Sequence, residues 1–426
     1  MKIRQLLTVV LLTSPLALRA QLTLDSCRQK AHDNYPMVRQ YNLLDRSRDY
    51  TLNNIGKAWL PQVSATGGAA AFTDLLDMPT QAKTLTGNTK NWTAGAMVGL
   101  QQQIYDGGQT RAKKDITQAE TEVNRYNVDV SMYAVNDRVE QLFFGILLID
   151  EQLKQNRLLQ NDFAVNERQV ADMMKGGLAN ATDLEAVKVE EVKCRQSEAS
   201  LTAMRQAALR MLGYFIGEPL DDTTTLVISQ ETTTTTGTAT AMRTTAGDEA
   251  LARPELQWYA ARQSLLGEQR KQLDTRLMPT VKAFGAAMTH TRMADMMHNT
   301  FAAAGVTVSW NIGALYTRKN DLRKLQVEAD RIDAERQTFL FNNHLQTEET
   351  QGQIATLRRQ LDLDKEAVSL REAIYSKSMK KVKLGTETIN EMLRDAIAIS
   401  QARQQQNLHN IQLQQAICQQ KTLQGR

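Results

Sequence analysis

WLPQVSATGGAAAF, residues 59–72, and TAGAMVGLQQQIYDGGQTR, residues 93–111, decide how this chain folds. A long amphipathic pattern stops at Trp59-Leu60-Pro61. In residues 62–72, Val63, Ala65, Gly67, Ala69 and Ala71 then fall on one face. In residues 93–105, Ala94, Ala96, Val98, Leu100 and Ile104 fall on one face, with Thr93, Gln101 and Gln103 on the other. Period-two alternation of this kind is a strand signal. Each run is about 10–13 residues, which matches a tilted membrane-spanning strand. Asp106-Gly107-Gly108 then turns the chain into a second long helical pattern. A β-hairpin is thus expected between two very long helices, its polar connection 73–92 read as a surface loop.

Working outward, the helix before the hairpin is expected over 28–59, capped by Asp25 and interrupted at Asn34-Tyr35-Pro36, because proline removes a donor and restricts the residue before it. After the hairpin, residues 109–175 contain no proline and only Gly145 as glycine. Ile116, Ala119, Val123, Tyr126, Val130 and Tyr133 follow 3-4 spacing, the seam of a coiled coil. At 1.5 Å per residue such a rod extends roughly 100 Å. Lys175-Gly176-Gly177 ends it, and Asn180 or Thr182 caps a returning helix that reaches about Leu212.

Residues 217–247 differ. Their threonine runs read as a flexible linker or equatorial segment, with Leu226-Val227-Ile228 able to add a short strand; an O-glycosylated stalk is the other reading. Beyond it the first half returns. Pro254 answers Pro36 and Pro279 answers Pro61 at the same offset of 218. Strands are expected at 280–290, where alternation is weak, and at 301–311, where Ala302, Ala304, Val306, Val308 and Trp310 alternate with polar residues. Leu322, Leu325, Ala329, Ile332 and Phe339 form the second seam, with Arg336 in one seam place. Gly385 answers Gly177, and a last helix starts near Thr388 and frays in the Gln-rich tail. The expected organisation is a signal peptide (1–20), a first α-ββ-α repeat (21–216), the linker (217–247) and a second α-ββ-α repeat (248–426).

The signal reading rests on Lys2, Arg4, an apolar run too short to span a bilayer and Ala20 before Gln21. Without Lys2, Arg4 and Arg19 the net charge is +1, which argues against a nucleic-acid partner. Aromatic residues at 5% and only 7 prolines, with abundant Gln, Ala and Leu, suit long helices rather than ordinary globular cores. Cys27, Cys194 and Cys418 are too far apart for a metal motif and odd in number.

A sheet in lipid cannot leave its edges unpaired, so four spanning strands per chain must close with other copies. Two copies give eight strands and a filled interior; three give twelve and a possible lumen. The fold class expected is therefore an α+β membrane protein, a long antiparallel α-helical coiled-coil barrel joined to a transmembrane β-barrel.

Asn34-Tyr35-Pro36, Leu60-Pro61-Gln62-Val63, Tyr105-Asp106-Gly107-Gly108 and Gly177-Leu178-Ala179 with Asp183-Leu184 carry a resemblance over essentially the whole mature chain. Arg253-Pro254-Glu255-Leu256, Met278-Pro279 and Gly385 with Glu391-Met392-Leu393 extend it. The chain resembles the outer membrane efflux proteins of the TolC family. That resemblance implies a homotrimer in outer-membrane lipid of a Gram-negative bacterium, with a 12-stranded barrel on a helical tunnel through the periplasm. It implies passive export, energised by an inner-membrane pump of the RND or ABC class that is joined through a periplasmic adaptor (membrane fusion protein). It also implies a periplasmic gate at the helix tips near Gly177 and Gly385. There Asp183 keeps the acidic residue of the first tip and Glu391 stands where the second usually carries Asp. Val382 sits where an aromatic hydroxyl can occur in the family, Glu387 where Arg can occur and Arg394 where a second Asp can occur, so the resemblance does not carry over the usual closing links. Glu391 and Arg394 are spaced (i, i+3) for an ion pair, and solvated tip charges are the plainer reading.

Catalysis finds no nucleophile–base pattern, only 5 His and no phosphate loop, so no enzyme, cofactor or resident metal is expected. Met288, His290, Met293, Met296, Met297 and His298 have soft-ligand chemistry that suits copper; an exposed hairpin loop is the plainer reading. Lys380, Lys381 and Lys383 face either an acidic adaptor or water. A non-conducting periplasmic coiled-coil or adaptor protein is the alternative to a duct, and the paired strands tell against it.

Overall fold

The computed structural model describes residues 22–71, 92–177, 179–228, 251–290 and 300–425. The expected signal peptide, most of the loop after 72 and residues 229–247 of the linker lie outside the described residues. The elements run α1 (Leu24–Asn34), α2 (Arg39–Gly56), β1 (Gln62–Ala71), β2 (Trp92–Tyr105), α3 (Gln109–Lys175), α4 (Ala181–Ile216), α5 (Pro254–Thr275), β3 (Thr280–His290), β4 (Thr300–Ser309), α6 (Ala314–Lys383) and α7 (Ile389–Leu423). Two compact units divide them: one takes residues 39–130 and 254–340, the other the segments to residue 38, 131–253 and from 341.

The first unit holds one antiparallel sheet in the order β1-β2-β3-β4. Register pairs Val63 with Leu100, Leu100 with Gly285 and Gly285 with Ala304. Ala65, Val98, Ala287 and Ala302 make the next row. Directly opposed residues share a face, so one face is mostly Val, Leu, Ala and Gly across all four strands, with Trp92, Gln102, Thr289 and Thr300 also on it. The other carries Gln62, Ser64, Gln101, Gln103, Lys282 and Thr307, with Phe284 and Phe301 among them. The weakly alternating third strand thus takes its place through its neighbours. Between Gln103 and Tyr105 the register slips by one residue. This bulge takes Ile104 out of the alternation that the sequence gives it and lets Tyr105 face Val281. β4 ends at Ser309, and Asn311 begins the turn into α6. β1 and β4 are the sheet's edges.

In the second unit Cys27, Val139, Phe143, Ile146, Leu209, Leu212 and Ile411 form the main core. The 3-4 stripe that is buried on α3 is Val128, Met132, Val135, Val139, Phe143 and Ile146. The expected seam is only half-buried apart from Ala119. Thr23, not Asp25, caps α1, through a capping box with Ser26. The expected short strand is a single parallel bridge between Leu22 and Leu226. α7 does not fray in its Gln-rich stretch; it runs to Leu423, with Thr422 and Leu423 buried.

Asn34-Tyr35-Pro36 has a local purpose. Asn34 Nδ2 donates to the Tyr214 and Phe215 carbonyls, each at 3.2 Å, at the C-terminal end of α4, while the Tyr35 ring stacks on Phe215. Arg253, before Pro254, does the like for α7: it donates to the Thr422 carbonyl at 3.3 Å and lies over the Tyr133 ring. Free carbonyls at helix ends need such donors. The spacing from Gly217 to Gly425, both at positive φ, equals that from Gly177 to Gly385.

Candidate functional site: the hairpin tips and the strand root

Each long helix must reverse within a few residues, and glycine makes this possible. α6 closes in a Schellman arrangement: Gly385, at φ +70°, donates to the Val382 carbonyl at 3.0 Å, and Thr386 donates to that of Lys381 at 3.0 Å. Gly177, at φ +75°, donates likewise to the Met174 carbonyl at 3.1 Å.

The next helix then starts with the same device at both tips. Asn180 Oδ1 accepts from the Asp183 N–H at 2.9 Å, and Asp183 Oδ2 accepts from the Asn180 N–H at 3.0 Å. Thr388 Oγ1 accepts from the Glu391 N–H at 3.3 Å, and Glu391 Oε2 accepts from the Thr388 N–H at 3.0 Å. Both acidic residues therefore complete capping boxes. The Glu391 carboxyl is held below its usual range, first by the Thr388 N–H and then by the Thr388 hydroxyl; Arg394 and Lys381 add through charge alone. So the contact that holds Glu391 is Thr388 rather than the (i, i+3) Arg394, which is exposed.

Glu387 folds back across its own turn. Ser378 Oγ donates to its Oε1 at 2.7 Å and Lys381 Nζ stands 3.4 Å from its Oε2. Of the three lysines only Lys381 has this contact, and it lies within one hairpin. Val382 is buried, and with Phe163 and Val170 of α3, Val187 of α4 and Ile389, Met392 and Leu393 of α7 it forms an apolar cluster beneath both tips. The polar link between the hairpins stands seven residues before Val382. Asn166 Nδ2 on α3 donates to the Tyr375 hydroxyl on α6 at 3.3 Å, and Asn166 is almost fully buried. Burial pushes the Tyr375 hydroxyl pKa up; Asn166 opposes this and Asp162 adds to it. Sequence reasoning missed Asn166, Tyr375 and Ser378. The signal for two of them was the 3-4 spacing of Tyr375, Ser378 and Val382 on one helix face.

At the other end of the rods, the Asp106 carboxylate accepts from the Gly108 N–H at 2.9 Å and the Thr110 N–H at 2.6 Å. It thereby caps α3 where the chain leaves β2. Gly107 has φ +67° and packs so closely on Met278 that a Cβ would stand 2.5 Å from that residue's own.

Met288 and His290 lie on β3, while 293–298 lie outside the described residues. The three cysteines are buried and free. No described helix is long and apolar enough to cross a membrane.

No protein-family profile matches the sequence, and no curated protein does. Solved structures do match. CusC, a protein described by its transmembrane channel formation, aligns with a TM-score of 0.69 at 11% identity over 95% of this chain and 92% of its own. The outer membrane protein VceC from Vibrio cholerae aligns with 0.65 at 10% identity, over 93% and 95%. The CmeC outer membrane channel of Campylobacter jejuni aligns with 0.63 at 12% identity, over 94% and 85%. The likeness in motif to the TolC family and the likeness in fold to these proteins agree: the chain has the fold of the outer membrane channels.

Proposed function

We propose that this protein is the outer membrane channel-tunnel of a tripartite efflux or type I secretion system, a passive exit duct for substrates delivered by an inner-membrane pump. One observation carries the reading. A single-layer sheet, mainly apolar on one face and with most of its polar residues on the other, stands between very long helices and offers two edges, β1 and β4. Lipid suits the apolar face, water the polar face, and only closure with sister chains satisfies the edges. Three chains give twelve strands and room for a lumen. The repeated capping of α4 and α7 and the equal glycine spacings support an internal two-fold repeat, with 21–216 and 248–426 as its halves. Residues 1–20 direct export and 217–247 link the halves.

The tips form the periplasmic gate in this reading. Gly177 and Gly385 make the turns, Asp183 and Glu391 fix the helix starts, and Glu387 staples the second hairpin. Val382 seals the apolar layer, and Arg394 with the tip lysines faces a periplasmic adaptor. Asn166 and Tyr375 tie one hairpin to the other. The pump is of the RND or ABC class. A non-conducting coiled-coil adaptor would need no two-faced sheet.

The test is to extract the protein from outer membranes with detergent and assay it for a heat-modifiable trimer and for planar-bilayer conductance. A water-soluble monomer without conductance overturns the proposal.

A further inference from the structure

Among all the residues of β1–β4 a single side chain belongs to the Lys, Arg, Asp and Glu set, and it is Lys282. Register places it opposite Gln103 of β2 on one side and Thr307 of β4 on the other. It therefore stands on the polar face, while its neighbours Val281 and Ala283 fall on the apolar one. Among the described residues no carboxylate pairs with it. The nearest acidic groups in the chain path are engaged elsewhere: Asp106 holds the Gly108 and Thr110 N–H groups, and Asp274 meets Arg318 at 2.7 Å. The connections 72–91 and 291–299 leave from the far strand ends, which at the strand rise is about 27 Å along β3 from Lys282.

We propose that Lys282 sets the charge preference of the bore. This rests on the channel reading above. In the closed barrel each copy contributes one ammonium group to a ring at the barrel's root, where helices and strands join. The surrounding Gln, Ser and Thr side chains hydrate the permeating solute without opposing that charge. A ring of lysines with no counter-charge concentrates anions and repels cations, as charged rings do in other pores. The solutes favoured are anionic: chloride, phosphates and carboxylates.

The experiment measures reversal potentials of the reconstituted protein in a potassium chloride gradient. Lys282→Glu should lower the chloride-to-potassium permeability ratio about threefold or more, Lys282→Gln by less, with Lys282→Arg unchanged. The difference should shrink in concentrated salt, where the screening length falls to about 3 Å. Conducting variants with an unchanged ratio overturn the proposal, because the ammonium group then reaches out of the bore. Absence of conductance in the wild type overturns the channel reading itself, which is a separate result. Trimer formation by Lys282→Arg and Lys282→Gln shows that folding survives the substitution.

Discussion

The Phe284 ring lies over Gly305, its partner on the neighbouring strand, so that a Cβ at residue 305 would stand 3.0 Å from two ring carbons. The glycine lets the aromatic ring lie along the polar face of the sheet instead of rising from it. An aromatic covering a strand glycine also restores packing that the missing side chain forfeits. Gly305→Ala should lift the ring into the bore and cost about 1 kcal/mol of stability through overpacking. Single-channel conductance should fall, and Gly305→Ala combined with Phe284→Ala should restore it. An unchanged conductance in the single variant would mean that the ring does not face the solute path.

Asp106 governs the step from strand to rod. Burial alone would raise its carboxyl pKa, but hydrogen bonds from the Thr110 hydroxyl and the Thr110 and Gly108 N–H groups outweigh it and hold the pKa below the usual range. A carboxylate held down in the folded state stabilises the fold above its unfolded pKa, about 3.9, and loses that contribution as pH falls through the folded value. Asp106→Asn should remove this acid dependence, and Asp106→Ala should cost about 1 kcal/mol at neutral pH. Gly107→Ala should cost more, since it meets both a left-handed backbone and Met278. Thermal melts of the detergent-solubilised oligomer from pH 7 to pH 3 measure all three.

Much of this architecture is legible in the residues themselves. The outer strands announce themselves because small or apolar residues hold every second place from Val63 to Ala71 and from Ala302 to Val308, and Gly-Gly after a long helical run reads as an ending. The rest depends on partners. Ile104 is placed by a bulge that exists only once β2 pairs with β3. The buried α3 stripe through Val128 and Met132 lies on nearly the opposite side of the helix from the apparent seam, since Val128 is two residues from both Tyr126 and Val130; which of the two apolar stripes is covered depends on partner helices that no local spacing reports. Asp25 looks like a cap, but Thr23 reaches the N–H of Ser26 and leaves Asp25 in the first turn. At the second tip Glu391 invites an ion-pair reading with Arg394, whereas its spacing from Thr388, like that of Asp183 from Asn180, is that of a capping box. The Asn166–Tyr375 link joins residues 209 apart, which no local pattern reports.

Arg28 gathers a buried polar cluster in the second unit. Its Nη2 donates to Glu140 Oε2 at 2.8 Å, to Thr422 Oγ1 at 3.1 Å and to Cys418 Sγ at 3.3 Å. The Glu140 side chain is 6% exposed and that of Arg28 19%. Burial raises the Glu140 carboxyl pKa, and Arg28 offsets only part of it. The same burial pushes the Cys418 thiol up to about 12, so it stays protonated and unreactive. Glu140→Ala leaves the guanidinium only the exposed Asp25 carboxylate, 3.9 Å away, as counter-charge and should cost about 3 kcal/mol. Replacing Arg28 and Glu140 together by Met should recover most of that, because no charge then remains to be buried. Denaturant midpoints of the two variants decide it; equal losses would show that the cluster contributes shape rather than charge.

The link between Asn166 and Tyr375 is the contact whose removal should separate a closed tip from an open one. Asn166 is 1% exposed, and its Oδ1 has no partner among the described residues. Tyr375→Phe takes away the remaining hydrogen bond and strands the amide in an apolar layer, at a cost of about 1–3 kcal/mol to the closed arrangement. Val382→Ala weakens that layer by cavity formation without touching the polar link, and a loss of similar size is expected. Both variants should therefore raise the open probability in planar bilayers. Glu391→Ala, which removes half of a local capping box, should lower thermal stability by about 1 kcal/mol and leave open probability as it is. If Glu391→Ala opens the channel and Tyr375→Phe does not, closure resides in the exposed acidic residues and not in the buried layer beneath them.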